Sequence, residues 1–290
     1  MVNGFVNLVK SKKKKISLTK LKIFMEVELE RIGLNREERI ITISSSNPIF
    51  AYVNESIKDV AKKISDSLHR SLPIVDKKMN LKGIVTISDI LNAFLQKEEF
   101  SKNVESIMSR EVVSCEANER IGYVLQKMKI SKRGRLPVLL ANKLVGMVSE
   151  SDFLKAATIL KVFEDVEIEN VMTKKPFFVQ PSFSILEVVR IMVNGKYRRL
   201  PVVLNRRLVG YITSTFLFRQ LFINNFSEEF LNERIETIMT KEPITVNLNT
   251  KLSEALALMK EKNVSSLLII NSNGELEGIF TERDFINLLY

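Results

Sequence analysis

Apolar side chains return at i, i+3, i+4 and i+7 in four places along this chain: Ile57, Val60, Ala61 and Ile64; Ile121, Val124, Leu125 and Met128; Ile185, Val188, Val189 and Met192; and Leu252, Ala255, Leu256 and Met259. That spacing gathers each set on one face of a helix and predicts four amphipathic helices. Eight residues ahead of each helix a short β-branched or aromatic run begins, at residues 49–53, 113–117, 177–181 and 244–248, and each run is expected to be a strand. Sixteen residues past each helix start the chain reaches Pro73, Pro137, Pro201 and, in the last copy, Leu268, each leading an apolar strand. A glycine comes nine or ten residues later, and a second helix is expected to open at the Ser or Thr three residues beyond it. The runs start 64, 64 and 67 residues apart, so the chain is a fourfold internal repeat of strand, helix, strand, strand, helix. Units of this length are too long for a solenoid repeat and short for an independent domain, so each is expected to need a partner to complete its core.

Three copies carry Gly, then Ser or Thr, then Asp at a spacing of three: Gly83-Thr86-Asp89, Gly146-Ser149-Asp152 and Gly278-Thr281-Asp284. The fourth reads Gly210-Thr213-Phe216. The glycines fit a tight turn or a close backbone approach after a strand. A helix N-terminus offers unpaired N–H groups to a phosphate, a Ser or Thr hydroxyl adds a contact, and a carboxylate one turn in can accept both hydroxyls of a ribose. Basic side chains precede the proline step: His69 and Arg70; Lys132, Arg133 and Arg135; Lys196, Arg198 and Arg199. The last unit has Ser265 and Ser266 there and gains Arg283 beside Asp284. Arginine forks match phosphate geometry. The competing reading is structural: Ser or Thr followed by an acid three residues on is also a capping box, and the arginines are also candidates for a solvated surface. Phe216 bears on this choice, because a copy that keeps Thr213 without the acid implies that the acid is dispensable for folding and that this copy's site is lost or altered.

The repeat resembles the CBS domain, the module named after cystathionine β-synthase. The resemblance rests on the steps Leu72-Pro73-Ile74, Leu136-Pro137-Val138 and Leu200-Pro201-Val202, the four Gly-x-x-Ser/Thr segments, and the lead-in pairs Met108-Ser109, Met172-Thr173 and Met239-Thr240. It spans residues 40–290, with residues 1–39 as a basic arm and lead-in and units at 40–100, 101–160, 161–225 and 226–290. It implies an α/β (α+β) fold of four βαββα units paired into two Bateman modules, which in this family can close into a disc within one chain or between chains. Four units on one chain is an architecture shared with the gamma subunit of AMP-activated protein kinase. The family commonly holds AMP, ADP, ATP or S-adenosylmethionine in clefts between paired units; for this chain magnesium is expected only through a bound nucleotide.

Composition narrows the alternatives. The chain has 290 residues, 45% of them hydrophobic, enough for a substantial core. One cysteine, Cys115, excludes an internal disulfide, is compatible with the cytoplasm expected for this protein, and is expected to be a buried, inert thiol. With that cysteine and the single His69, a zinc site of the Cys/His kind cannot be assembled within one chain. Walker loop, nucleophile elbow, Cys/His pairing and His-Glu-x-x-His are all lacking, and Glu228-Glu229 reads as a solvent-facing pair, so no enzyme activity is expected. No apolar run is long enough to cross a bilayer.

The net charge is +10, but Lys10, Lys12, Lys13, Lys14, Lys15, Lys20 and Lys22 supply seven of those charges in a stretch, residues 1–25, that holds no acid. The lysines are a basic arm, read either as a solubilising segment or as a contact for nucleic acid, anionic lipid or an acidic partner. Val2, Phe5, Val6 and Val9 could give it a short apolar helix face. Beyond the arm, Leu21, Ile23, Met25, Val27 and Leu29 alternate as in a strand, while Leu21, Phe24, Met25 and Ile32 fit a helix; this lead-in is expected to pack on the first unit. The connectors at 159–169 and 224–233 are expected to be ordered.

The preferred function is a non-enzymatic ligand sensor that relays adenine nucleotide binding to a protein partner or a homodimer. Asp89, Asp152 and Asp284 would hold ribose; Thr86, Ser149 and Thr281 would touch ribose or phosphate; Arg70, Arg135, Arg199 and Arg283 would neutralise phosphate. The alternative is a nucleic-acid-binding or scaffold protein using the basic arm, with purely structural CBS units.

Overall fold

The structure, a computed structural model, describes residues 27–290. The lysine arm and the apolar face at Val2, Phe5, Val6 and Val9 lie outside the described residues.

Each unit follows the expected order. Unit 1 contains β1 (Ser45–Ser46), β2 (Ala51–Tyr52), α1 (Ile57–Ser67), β3 (Ser71–Val75), β4 (Leu81–Thr86) and α2 (Ile87–Leu95). Unit 2 contains β5 (Cys115–Glu116), α3 (Ile121–Ser131), β6 (Arg135–Leu140), β7 (Lys143–Ser149) and α4 (Glu150–Ala156). Unit 3 contains β8 (Thr173–Lys174), α5 (Ile185–Gly195), β9 (Arg199–Leu204), β10 (Arg207–Thr213) and α6 (Ser214–Ile223). A short helix, α7 (Glu228–Asn232), leads to unit 4, with β11 (Thr245–Asn247), α8 (Leu252–Glu261), β12 (Ser266–Ile270), β13 (Leu276–Thr281) and α9 (Glu282–Asn287).

Local signals set the helix bounds. Ser56 caps α1 by accepting from the Asp59 N–H at 3.1 Å, and Ser184 with Glu187 forms a full capping box on α5. The first helices of units 1, 2 and 3 end on left-handed residues at one repeat position, Leu68, Lys132 and Lys196, with φ of 57°, 54° and 53°. The sixteen helix-face residues named above are at most 2% exposed. Burying each Val, Leu, Ile or Met of that set contributes about 1.5–3 kcal/mol.

In every unit the run just ahead of the first helix pairs parallel with the strand that follows that helix, which pairs antiparallel with the next strand; in unit 3 the expected strand at 177–181 shrinks to a single bridge between Val179 and Val202. The lead-in segments cross between units. The lead-in of unit 1, β1, pairs with β7 of unit 2, and that of unit 3, β8, pairs with β13 of unit 4. In return, Ser109 bridges to Ile84 of unit 1 and Thr240 to Tyr211 of unit 3. Units 1 and 2 are thus one exchanged pair, and units 3 and 4 another.

The motif glycines stand where these exchanged segments cross, which decides between the two roles expected of them. None has positive φ. A Cβ on Gly83 would lie 2.6 Å from the Met108 sulfur and 2.9 Å from the Ser109 carbonyl oxygen, and one on Gly146 would lie 2.8 Å from the Ser45 carbonyl oxygen. Met239 covers Gly210 and Met172 covers Gly278 in the same way. Close approach, not a turn, is their function: Gly83, Gly210 and Gly278 meet the Met-Ser/Thr pair of the partner unit, and Gly146 meets Ser44 and Ser45 instead.

Helices join the two pairs. Helix α1 packs on α6 and α2 on α5, so units 1 and 3 share one apolar core; α4 packs on α9 and α8, so units 2 and 4 share a second. The four units therefore form a closed ring in which sheet contacts alternate with helix contacts. The lead-in departs from expectation: Val27, Leu29, Ile32 and Leu34 join the core of units 2 and 4, not that of unit 1. Tertiary hydrogen bonds hold it there, from the Val27 N–H to the Leu288 carbonyl at 2.7 Å and from the Thr158 N–H to the Ile32 carbonyl at 2.9 Å. Both connectors are built in, with Phe163, Ile168, Phe230 and Leu231 buried.

Candidate functional site

The second helix of every unit starts at the Ser or Thr foreseen. Thr86 donates its hydroxyl and its N–H to Asp89 Oδ2, both at 2.7 Å, and accepts from the Asp89 N–H at 3.3 Å. Ser149 with Asp152 and Thr281 with Asp284 form the same capping box. In unit 3 Thr213 accepts from the Phe216 N–H at 3.1 Å and α6 forms without the acid. The structural role of the Thr–Asp pair is therefore real, and it is also incomplete: both Thr86 bonds fall on one oxygen of Asp89, and burial holds that carboxyl above its ordinary pKa.

The N-terminus of α2 opens into a cleft of about 680 Å³, within the range of small-ligand sites. Units 1, 2 and 3 build it together. Unit 1 brings Arg70, Ile84, Thr86 and Asp89; unit 2 brings Ser109, Val112, Val113, Lys132, Arg133 and Arg135; unit 3 brings Lys196, Arg198 and Ser214. Strand exchange is what carries 109–113 across to unit 1, placing an apolar wall of Ile84, Val112 and Val113 beside the Thr86–Asp89 pair.

Of the residues expected to bind, the cleft gathers Thr86, Asp89, Arg70 and Arg135. Ser149, Asp152, Arg199, Thr281, Arg283 and Asp284 are outside its lining. Arg283 is engaged by Glu150 and donates to the Lys132 carbonyl at 3.0 Å. Arg199 donates to Ser265 Oγ at 2.5 Å, and Tyr211 pairs with Ser266 at 2.9 Å, so the two serines that replace basic residues in unit 4 receive polar groups of unit 3.

Arginines crowd the middle of the ring. Burial, and then the charges of Arg135, Arg199 and Arg198, push the Arg70 guanidinium down to about 9, with Glu282 opposing. Burial also lowers Arg135 against the pull of Asp152, Glu282 and Glu150, and its Nε is a buried donor with no hydrogen-bond partner. Two buried carboxylates face this cluster, Glu150 and Glu282, and burial raises the pKa of Glu282. They occupy the first position of α4 and α9, where α2 has Ile87 and α6 has Ser214. These two acids escaped the motif reading, although aligning the four repeats shows them as the one charged variation immediately after the capping residue. Arg133 and Arg198 were visible as basic residues, but only the ring geometry turns them into the same cleft.

Cys115 is buried, and burial raises its thiol pKa to about 12, as an inert thiol requires. Among the described residues no three His, Cys, Asp or Glu side chains gather as a metal site, and no helix is long and apolar enough to cross a membrane.

Comparison with known proteins agrees with this architecture. The CBS domain family matches residues 40–96, 104–158, 168–215 and 235–290. MJ1225 of Methanocaldococcus jannaschii is 27% identical over 275 residues, covering 86% of this chain and 98% of its own length. Its crystal structure, described as that of a candidate archaeal homolog of g-AMPK, has a TM-score of 0.77 at 25% identity and covers 86% of this chain and 98% of that one. An uncharacterized 33.4 kDa protein from the ribosomal RNA operon of Thermofilum pendens is 24% identical over 258 residues, 80% of this chain and 85% of its own length. A conserved protein of Pyrococcus horikoshii shares the fold, with a TM-score of 0.59 at 21% identity over 86% of this chain and 99% of that one. With four matched segments spanning most of its length, exchanged in pairs as described above, the chain belongs to the CBS domain family.

Proposed function

We propose that the protein is a non-enzymatic regulatory sensor that binds an adenosine nucleotide, AMP, ADP or ATP, in the cleft at the N-terminus of α2 and relays occupancy to a protein partner. The observation that carries this reading is the convergence of three kinds of surface in one cleft: an apolar wall at Ile84, Val112 and Val113, the Thr86–Asp89 pair, and arginines from three units. An adenine base suits the wall, ribose hydroxyls suit a carboxylate with bonding capacity to spare, and phosphates suit the N–H groups of α2 with the arginines behind them. The orphaned Arg135 Nε supports an anionic occupant, because a buried donor without a partner leaves a desolvation penalty that a ligand can offset. The likeness to MJ1225, described as a candidate g-AMPK homolog, points the same way. Ser149–Asp152 and Thr281–Asp284 are proposed as further sites of the same kind, with Arg199 and Arg283 as their neighbouring cations.

A ligand seated between units changes their relative orientation only to the extent that it binds one arrangement more tightly, and a cleft built from three units provides that difference. Nucleotide-stripped protein titrated calorimetrically with AMP, ATP and S-adenosylmethionine is expected to bind the nucleotides. Asp89→Ala is expected to weaken them by about 1.5–3 kcal/mol, the range for a hydrogen bond to a charged group, while the thermal unfolding profile stays cooperative. Unchanged affinity in a folded Asp89→Ala protein would remove the ribose assignment.

A further inference from the structure

The first helix of each unit turns its third, sixth and tenth residues outward: Asp59, Lys62 and Asp66 on α1, Glu187, Arg190 and Asn194 on α5, and Glu254, Ala257 and Glu261 on α8. All of these are exposed, and each helix keeps at least two charges among them, as a solvated face should. Helix α3 breaks the pattern with Tyr123, Gln126 and Ile130, of which Tyr123 is 59% and Ile130 83% exposed. Its charged residues, Lys127 and Lys129, are half-buried and turned to other groups, Lys127 donating to Glu119 at 2.8 Å and Lys129 to the Leu289 carbonyl at 2.7 Å. The other three copies of this helix fold with charges at the outward positions, so the uncharged stripe belongs to the surface of unit 2 and not to the repeat. One exposed isoleucine is ordinary, but a stripe two turns long beside three charged counterparts marks a contact.

The chemistry of the stripe selects its occupant. In a two-fold contact each residue at the axis meets its own copy, so a charge there repels itself, while a glutamine amide, donor and acceptor at once, pairs with its copy. Gln126 stands between Tyr123 and Ile130, which lie about 10.5 Å apart along the helix axis. Antiparallel packing about Gln126 sets Tyr123 of each copy against Ile130 of the other. We propose that the exposed face of α3 is the contact surface for a second copy of this chain, with the two α3 helices antiparallel and Gln126 at the two-fold axis. The inference stands apart from the adenosine reading. The chain leaves α3 directly into Lys132 and Arg133, which line the α2 cleft, so the contact lies on the helix that carries those side chains. One pair of helices buries less than the roughly 1,600 Å² of a standard interface, so a reversible, concentration-dependent dimer is expected.

Sedimentation equilibrium of the full chain tests this and is expected to show monomer and dimer. Tyr123→Glu and Ile130→Glu, which give α3 acids like those of α1 and α8, are each expected to weaken dimerisation at least about tenfold, because a two-fold contact takes up each new charge twice. Melting curves that match wild type establish that these surface variants are folded. Gln126→Cys is expected to form a disulfide-linked dimer on mild oxidation, since the chain's own thiol, Cys115, is buried. Asp66→Cys, on the corresponding face of α1, is expected to stay uncrosslinked. A full chain that is monomeric at every concentration, a dimer that both charge variants leave intact, or equal cross-linking of Gln126→Cys and Asp66→Cys overturns the inference. Dimerisation through α3 that appears only once residues 1–25 are removed also overturns it, by giving the stripe to that segment of the same chain.

Discussion

Asp89 shows how one side chain serves folding and a site at once. Its carboxylate caps α2 through Thr86, yet burial raises its pKa above the ordinary 3.8. Between 3.8 and that raised value the folded state binds more protons than the unfolded chain, so Asp89 contributes more stability as pH falls through this window and loses it as pH rises. In urea unfolding from neutral pH down to about 4, wild type is therefore expected to gain stability relative to Asp89→Asn; a wild type that loses stability relative to the variant on acidification contradicts the assignment. The Thr–Asp pair itself was legible from three copies of a spaced motif. Its inclusion in a cleft with Arg133 and Arg198 was not, because those residues belong to other units and reach it only through chain crossings.

At the scale of the element, the four second helices form a natural comparison. Helix α6 has Thr213 as its cap and Phe216 where the other units have Asp, and it runs from Ser214 to Ile223, longer than α4 or α9. The acid is thus not required to start such a helix, as Phe216 had implied. Replacing Thr213 by Ala is expected to cost about 1 kcal/mol, read as a lower urea midpoint with unchanged slope, whereas Phe216→Asp is expected to leave the midpoint equal or higher because it completes a capping box. A Phe216→Asp protein that unfolds earlier would mean that the ring makes a contact α6 needs. Helix periods and caps were readable because they are local. Strand lengths were less so: the runs at 49–53 and 113–117 pair over only two residues each, since pairing is limited by what their neighbours expose.

For the whole molecule, the decisive feature is that both large cores cross from one exchanged pair to the other. Helix faces of units 1 and 3 close one, and those of units 2 and 4 the other, while the apolar cluster between units 1 and 2 has, among the described residues, only Val75, Leu139 and Leu144 as its buried members. Residues 27–160 produced alone would expose the α1, α2 and α4 faces to water. That fragment is expected to dimerise through those faces or fail to fold, as measured by sedimentation and circular dichroism; a stable, folded monomer would contradict the shared-core architecture. The same arrangement explains why the lead-in at 27–34 does not pack on the first unit as expected: its partners, Leu288 and Thr158, are distant in sequence and belong to units 4 and 2.

The sequence by itself determined the repeat, its helix faces, its capping residues and its membership of a family, because each depends on spacings within one unit of about 64 residues. Tertiary structure alone decided which unit touches which. It showed that the motif glycines admit an exchanged segment, through its methionine at Gly83, Gly210 and Gly278 and through Ser44 and Ser45 at Gly146, that Glu150 and Glu282 stand among the arginines, and that three units share one cleft. Those facts depend on contacts between residues far apart in the chain, where loop-closure entropy, packing and unpaired charge are settled together and no local pattern records the result.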